Sequence, residues 1–144
     1  MWFDGRVEQR ILDWRDFRKE LTEWPRDLDT VARAWSRAPV RNYLTQDEPD
    51  HWPDPWQLIS DNVYCDLSVA LGMLYTLHLS SYPHRDSVRM VGYRLRSKHK
   101  EFNLVLCEEG KYVLNYQLGH VVNNPDVSQF GNITYNYTAR ELLD

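Results

Sequence analysis

Cys65 has the most chemistry to offer of any residue in this chain. It follows Asp61 and Asn62 by a few positions, and either is a natural N-cap for the helix that the next apolar run predicts. A thiol in the first turn of a helix meets the positive end of the macrodipole. That favours the thiolate and prepares a cysteine for covalent acyl transfer. The same position equally suits a small buried apolar residue. A nucleophile needs a base, and the chain carries five His. His51 falls in a Pro-rich stretch, His78 at the end of the apolar run and His84 in a turn, which leaves His99 and His120. No His, Cys or carboxylate pair has metal-ligand spacing, and six scattered Gly build no phosphate-cradling loop. The neighbouring acids Glu108 and Glu109 sit in a turn, where a solvated charge is the ordinary reading. No metal and no other cofactor is expected.

These side chains must be positioned by helices first and strands second. Residues 6–23 place Val7, Ile11, Trp14 and Leu21 on one helical face, with charges on the other, and Pro25 ends the pattern. A shorter helix follows over 27–37, with Leu28, Val31 and Trp35 as its apolar side and Asp27 and Asp29 at its positive end. Residues 38–55 carry Pro39, Pro49, Pro53 and Pro55 and read as an irregular stretch packed down by Trp52 and Trp56. From about 62 to 79 the apolar residues surround the axis, the mark of a helix enclosed by protein. Strands are predicted over 87–95, 102–107, 111–116 and 132–138, and 139–144 reads as a short helical turn. The fold class is therefore α+β: N-terminal helices and one buried central helix packed on a small antiparallel sheet of three to five strands. It forms a single domain over 1–144, with a helical front at 1–80 and a sheet within 87–138.

Composition narrows the function. A net charge of −4 argues against a general nucleic-acid binder. The run from Val63 to Leu79 is broken by Asp66, Ser68 and His78 and is too short and polar to span a bilayer, so no membrane is expected. The first 30 residues carry no apolar stretch, so no secretory signal is read there. With it go a disulfide between Cys65 and Cys107 and any use of the sequons at Asn132 and Asn136; a cytoplasmic setting is expected. All six Trp lie within the first 56 residues. The ordinary reading packs them between helices and sheet. The sharper one makes Trp14, Trp24, Trp35, Trp52 and Trp56 a surface for a protein partner.

Tyr64-Cys65-Asp66 opening an apolar helix, Gly72 inside it, and a strand pair ending in Tyr112-Val113-Leu114-Asn115 together resemble the transglutaminase-like branch of the papain-like cysteine superfamily. In that family a Cys at a helix start is followed by a His on one strand and an Asp or Asn on the next. The resemblance assigns Cys65 and Asn115 to the first and third places. The second place is where the chain departs. A three-residue loop at Glu108-Glu109-Gly110 pairs Cys107 with Lys111, which sets Asn103 opposite Asn115. The family's His would stand at Asn103, and an amide is no general base. His99, four residues earlier, lies about 13 Å away along a regular strand. It completes a catalytic set of Cys65, His99 and Asn115 only if the strand bulges or breaks near Glu101.

Three functions compete. The favoured one is a noncatalytic interaction protein on a transglutaminase-like scaffold. The Trp-rich front with this core also resembles small proteins of tailed phages of aquatic bacteria, which implies an accessory or virion-associated role with a phage or host protein as partner, in the host cytoplasm or the virion. The second is a small cysteine hydrolase or acyl-transfer enzyme in which Cys65 attacks, His99 or His120 takes the proton and Asn115 orients the imidazole. The third is a structural subunit that self-associates into an oligomer.

Overall fold

Apolar residues on every side of Asp66–His78 force that helix into the middle of the molecule, and ten of its thirteen residues are buried. The computed structural model describes residues 1–40 and 44–144; residues 41–43 of the irregular stretch lie outside the described residues. Around the central helix (α4) the described residues form four other α-helices: α1 (Val7–Glu20), α2 (Asp27–Trp35), α3 (Pro55–Asp61) and α5 (Ala139–Leu143). One antiparallel sheet is built from β1 (Arg89–Leu95), β2 (Lys100–Cys107), β3 (Tyr112–Gln117), β4 (His120–Asn123) and β5 (Asn132–Thr138), in the spatial order β4-β3-β2-β1-β5. This is the expected α+β arrangement.

The helical layer closes on α4 through aromatic rings. Trp35 of α2 lies flat over Gly72, where any side chain would overlap its ring. Trp2, Phe3, Trp35 and Tyr64 meet edge to face or tilted, at centroid separations of 4.7–5.5 Å. The indole N–H groups of Trp14 and Trp35 both donate to Thr76 Oγ1, each at 3.0 Å, and that hydroxyl donates to Gly72 O at 2.6 Å. Its one proton and two lone pairs are thereby all used. Trp14 and Trp35 are fully buried and Trp52 nearly so, against Tyr135 and Tyr137. The partner surface expected at the tryptophans is therefore not available at Trp14, Trp35 and Trp52. Trp24 is half-buried on Tyr82, and Trp56 alone of the six is largely exposed, at 49%.

Strand alternation gives the sheet two apolar faces. Met90, Val105, Cys107, Leu114 and Tyr135 face the helices, while Val91, Tyr93, Leu104 and Val113 face the other way and are covered by Val127 and Phe130 of a short 3-10 segment. Two expectations need correction. The central helix starts at Asp66, not near 62, because Pro55 at a first helical position and the Asp54 cap open a separate helix, α3, which Asn62 closes in the left-handed conformation. The hairpin loop holds four residues, Glu108 to Lys111, so Cys107 pairs with Tyr112 and Val105 with Leu114, one residue out of the expected register. Glu108, Glu109 and Gly110 all take positive φ, and three left-handed residues in succession need the extra position to turn the chain.

Candidate functional site

Cys65 is the N-cap of α4, buried, with extended backbone. A capping box holds it. The sulfur accepts the Ser68 backbone N–H, and the Cys65 N–H is donated to Ser68 Oγ at 2.7 Å. A second backbone donor, Leu44 N–H, reaches Sγ at 3.4 Å. In acyl transfer the nucleophile's own N–H is a common oxyanion donor. Here that N–H is already committed to Ser68.

Asn103 stands on β2 on the face turned to α4, in the place where the resemblance calls for an imidazole. Three of its four hydrogen-bonding directions are engaged. Its Oδ1 accepts Tyr135 O–H at 2.7 Å and Gln46 Nε2–H at 3.1 Å, and its Nδ2 donates to Asp66 Oδ2 at 2.8 Å. The arrangement depends on Gly92, which pairs with both Asn103 and Tyr135; a Cβ there would overlap the Tyr135 ring. Burial pushes the Tyr135 hydroxyl well above the ordinary tyrosine range, with Asp66, Glu101 and Cys65 adding to it, so it stays a neutral donor. Gln46 is fixed in turn by Thr134, whose hydroxyl donates to Gln46 Oε1 at 2.8 Å.

Asn115 reaches the same place by a compensation. The observed register would pair it with Leu104 and turn it to the far face. It sits instead in the left-handed region, with φ of 62°, and the β3–β4 pairing slips there. The resulting bulge keeps Leu114 and Asn115 both on the helix side, while Tyr116 goes to the other face. Asn115 Nδ2 then donates to Asn103 O at 2.7 Å and to Asp66 Oδ1 at 3.1 Å. Two amides thus share the Asp66 carboxylate beside the thiol.

His99 does not complete this set. β2 pairs regularly with β1 from Lys100 to Leu106, so the break near Glu101 that would carry His99 to Asn115 is absent. His99 caps the turn between those strands at φ of 48° and is exposed. It lines the mouth of an open cleft of about 310 Å³ whose wall includes Leu44, Cys65, Asp66, Glu101 and Asn103. His120 opens β4 against α2, with Nδ1 3.7 Å from Asp29. The structure therefore brings Cys65 and Asn103 to one cleft, with Asn115 behind Asn103, and places His99 at the rim. Asp66, Gln46 and Tyr135 complete the constellation; Asp66 stands in the Tyr64-Cys65-Asp66 motif with no role assigned to it, and Gln46 and Tyr135 were not foreseen. The one sequence signal for them is Gly92 inside an alternating strand, which marks a close approach. Cys107 is fully buried away from the cleft, and burial, with Glu108 beside it, pushes its thiol far up.

No family model matches the chain. No curated protein matches it either. Among solved structures, calcium-bound LapG of Legionella pneumophila superposes with a TM-score of 0.68 at 16% identity, over 94% of this chain and 78% of that one. The fold is transglutaminase-like. Among the described residues, no group of three or more His, Cys, Asp or Glu is placed to hold a metal ion. No helix among them is long and apolar enough to cross a membrane.

Proposed function

We propose that the chain is a noncatalytic interaction protein on a transglutaminase-like scaffold, whose partner is another protein. The observation that supports this reading is Asn103: an amide stands where the resemblance would put an imidazole, and Tyr135, Gln46 and Asp66 hold it there. An amide neither takes a proton from a thiol nor returns one to a leaving group. The commitment of the Cys65 N–H to Ser68 supports the same conclusion, since it removes a donor that a tetrahedral intermediate would need. The resemblance to small tailed-phage proteins gives the partner a setting, in a virion or in the host cytoplasm.

The competing reading makes Cys65 a nucleophile served by His99, which lines the same cleft. Thiol alkylation separates them. Cys65 labelling by iodoacetamide is followed from pH 5 to pH 9 by mass spectrometry in the parent chain and in His99→Ala. The expected outcome is one profile shared by both proteins. Rapid labelling at pH 6 in the parent, abolished by His99→Ala, would establish an imidazole-activated thiol and overturn the noncatalytic assignment.

A further inference from the structure

On a chain of net charge −4, one concave surface gathers cations without carboxylates in its wall. It lies where the C-terminal turn of α1 meets the chain leaving α4. A pocket of about 340 Å³ there is lined by Arg15, Arg18, Lys19, Thr22, Leu79 and the two serines that follow. Arg18 is its fixed point. The guanidinium carbon lies 4.3 Å from the Trp14 ring centroid and 5.9 Å from that of Trp56, and Nη1 donates to Leu79 O at 3.3 Å. Its Nε is buried with no hydrogen-bond partner, and no carboxylate pairs with it among the described residues. Burial, and then the neighbouring Arg15, pull its pKa below the ordinary arginine value, as expected of a cation that lacks a compensating anion.

The remaining groups leave charge to spare. Arg15 meets only its sequence neighbour Asp16, at 3.4 Å with both side chains about half exposed, which neutralises little. Lys19 makes no ion pair among the described residues. The carbonyls ending α1 and α4 attract cations, but they carry partial charge and do not cancel three full ones. Ser80 and Ser81 have their hydroxyls engaged with Leu77 O and Leu21 O, so they contribute shape.

We infer that this pocket is a phosphate-binding site whose ligand is a small phosphomonoester. A phosphate carries a charge of about −1.5 to −2 with three acceptor oxygens, which balances three cations better than a single carboxylate does. Two arginines supply the planar donor forks that match it. The pocket exceeds an inorganic phosphate in size, and Leu79 with the methylene stems of Arg15 and Lys19 gives an organic group an apolar wall.

The test uses the intact chain in chloride buffer at fixed ionic strength. Inorganic phosphate and phenyl phosphate are titrated by calorimetry, with tryptophan emission followed in parallel because Trp14 and Trp56 flank Arg18. Saturable binding is expected for both, with phenyl phosphate the tighter. In the surface variant Arg15→Gln/Lys19→Gln, which leaves the core untouched, affinity for both should fall by about tenfold or more. Arg18→Met should abolish the emission change, and its circular dichroism reports whether the fold survives. Binding of inorganic phosphate alone, with phenyl phosphate no tighter, would overturn the monoester. Non-saturable uptake, or a double variant that binds as the parent does, would overturn the site.

Discussion

At the residue scale, this molecule repeatedly resolves a buried polar atom by giving one small group several partners. Thr76 is the clearest case: one hydroxyl closes three hydrogen bonds and joins α1, α2 and α4 at a point with no access to water. Thr76→Val keeps the shape and removes the acceptor, which leaves two indole N–H groups orphaned. Each buried orphan costs about 1–3 kcal/mol, so the variant is expected to lose about 2–6 kcal/mol, read as a lower urea midpoint with an unchanged slope. Thr76→Ser keeps the hydroxyl and should lose far less. Asn103 follows the same logic at the cleft. Tyr135→Phe leaves its Oδ1 with Gln46 as its side-chain partner and is expected to cost about 1 kcal/mol.

At the element scale, the sheet shows how a local departure from regularity can carry a functional position. The extra hairpin residue shifts β3 by one place, and the left-handed turn at Asn115 returns its side chain to the helix face. Asn115→Gly keeps the backbone and loses only the amide, whereas Asn115→Val also forces a β-branched residue into φ of 62°. The valine variant should be less stable than the glycine one by about 1–2 kcal/mol, measured by urea unfolding. Elements with strong periodicity were legible in the sequence: α1, α2, the enclosed α4, β1 to β3 and β5 all appear close to where apolar spacing put them. Those that depend on a single cap or a handful of residues were not. α3 was hidden in a stretch whose prolines read as breakers although Pro55 opens a helix, and β4 is four residues long. β4 is held by Asp29 of α2, which accepts the Val121 N–H at 3.1 Å. Burial opposes ionisation of Asp29, but that N–H, Arg33 and His120 outweigh it and hold its carboxyl below the usual aspartate range. A carboxyl depressed by folding contributes stability above its unfolded pKa and loses it as pH falls through the folded value. Asp29→Asn should therefore lower the urea midpoint at pH 7, with the difference from the parent shrinking as pH falls below about 4.

At the scale of the whole molecule, the cleft is legible only in part from sequence because its parts are remote. Cys65 and Asp66 announce themselves at a helix start, but the Asn103 carbonyl oxygen is bonded by Gln46 and Tyr135, 57 and 32 residues away, through a gap that Gly92 opens. No local spacing encodes that meeting. The same long-range wiring has a consequence for cooperativity. One apolar cluster runs from Trp2 and Trp14 through α4 to Met90, Val105 and Cys107 of the sheet, so the helical front and the sheet have no separate cores on their shared side. The two layers should then unfold together. Cys107 reports on this, being fully buried on β2 with a thiol that burial holds protonated. In a Cys65→Ser background, where serine keeps the N-cap, Cys107 labelling in native buffer must wait for opening and tracks the population of the open state. Thr76→Val perturbs only the helical front. If opening is global, a loss of about 2–6 kcal/mol there speeds labelling at Cys107 by about 30-fold at least and about 20,000-fold at most, since each 1.4 kcal/mol is a factor of ten. If the sheet opens on its own, Cys107 labels at the parent rate while the urea midpoint still falls. The continuous core predicts the first result.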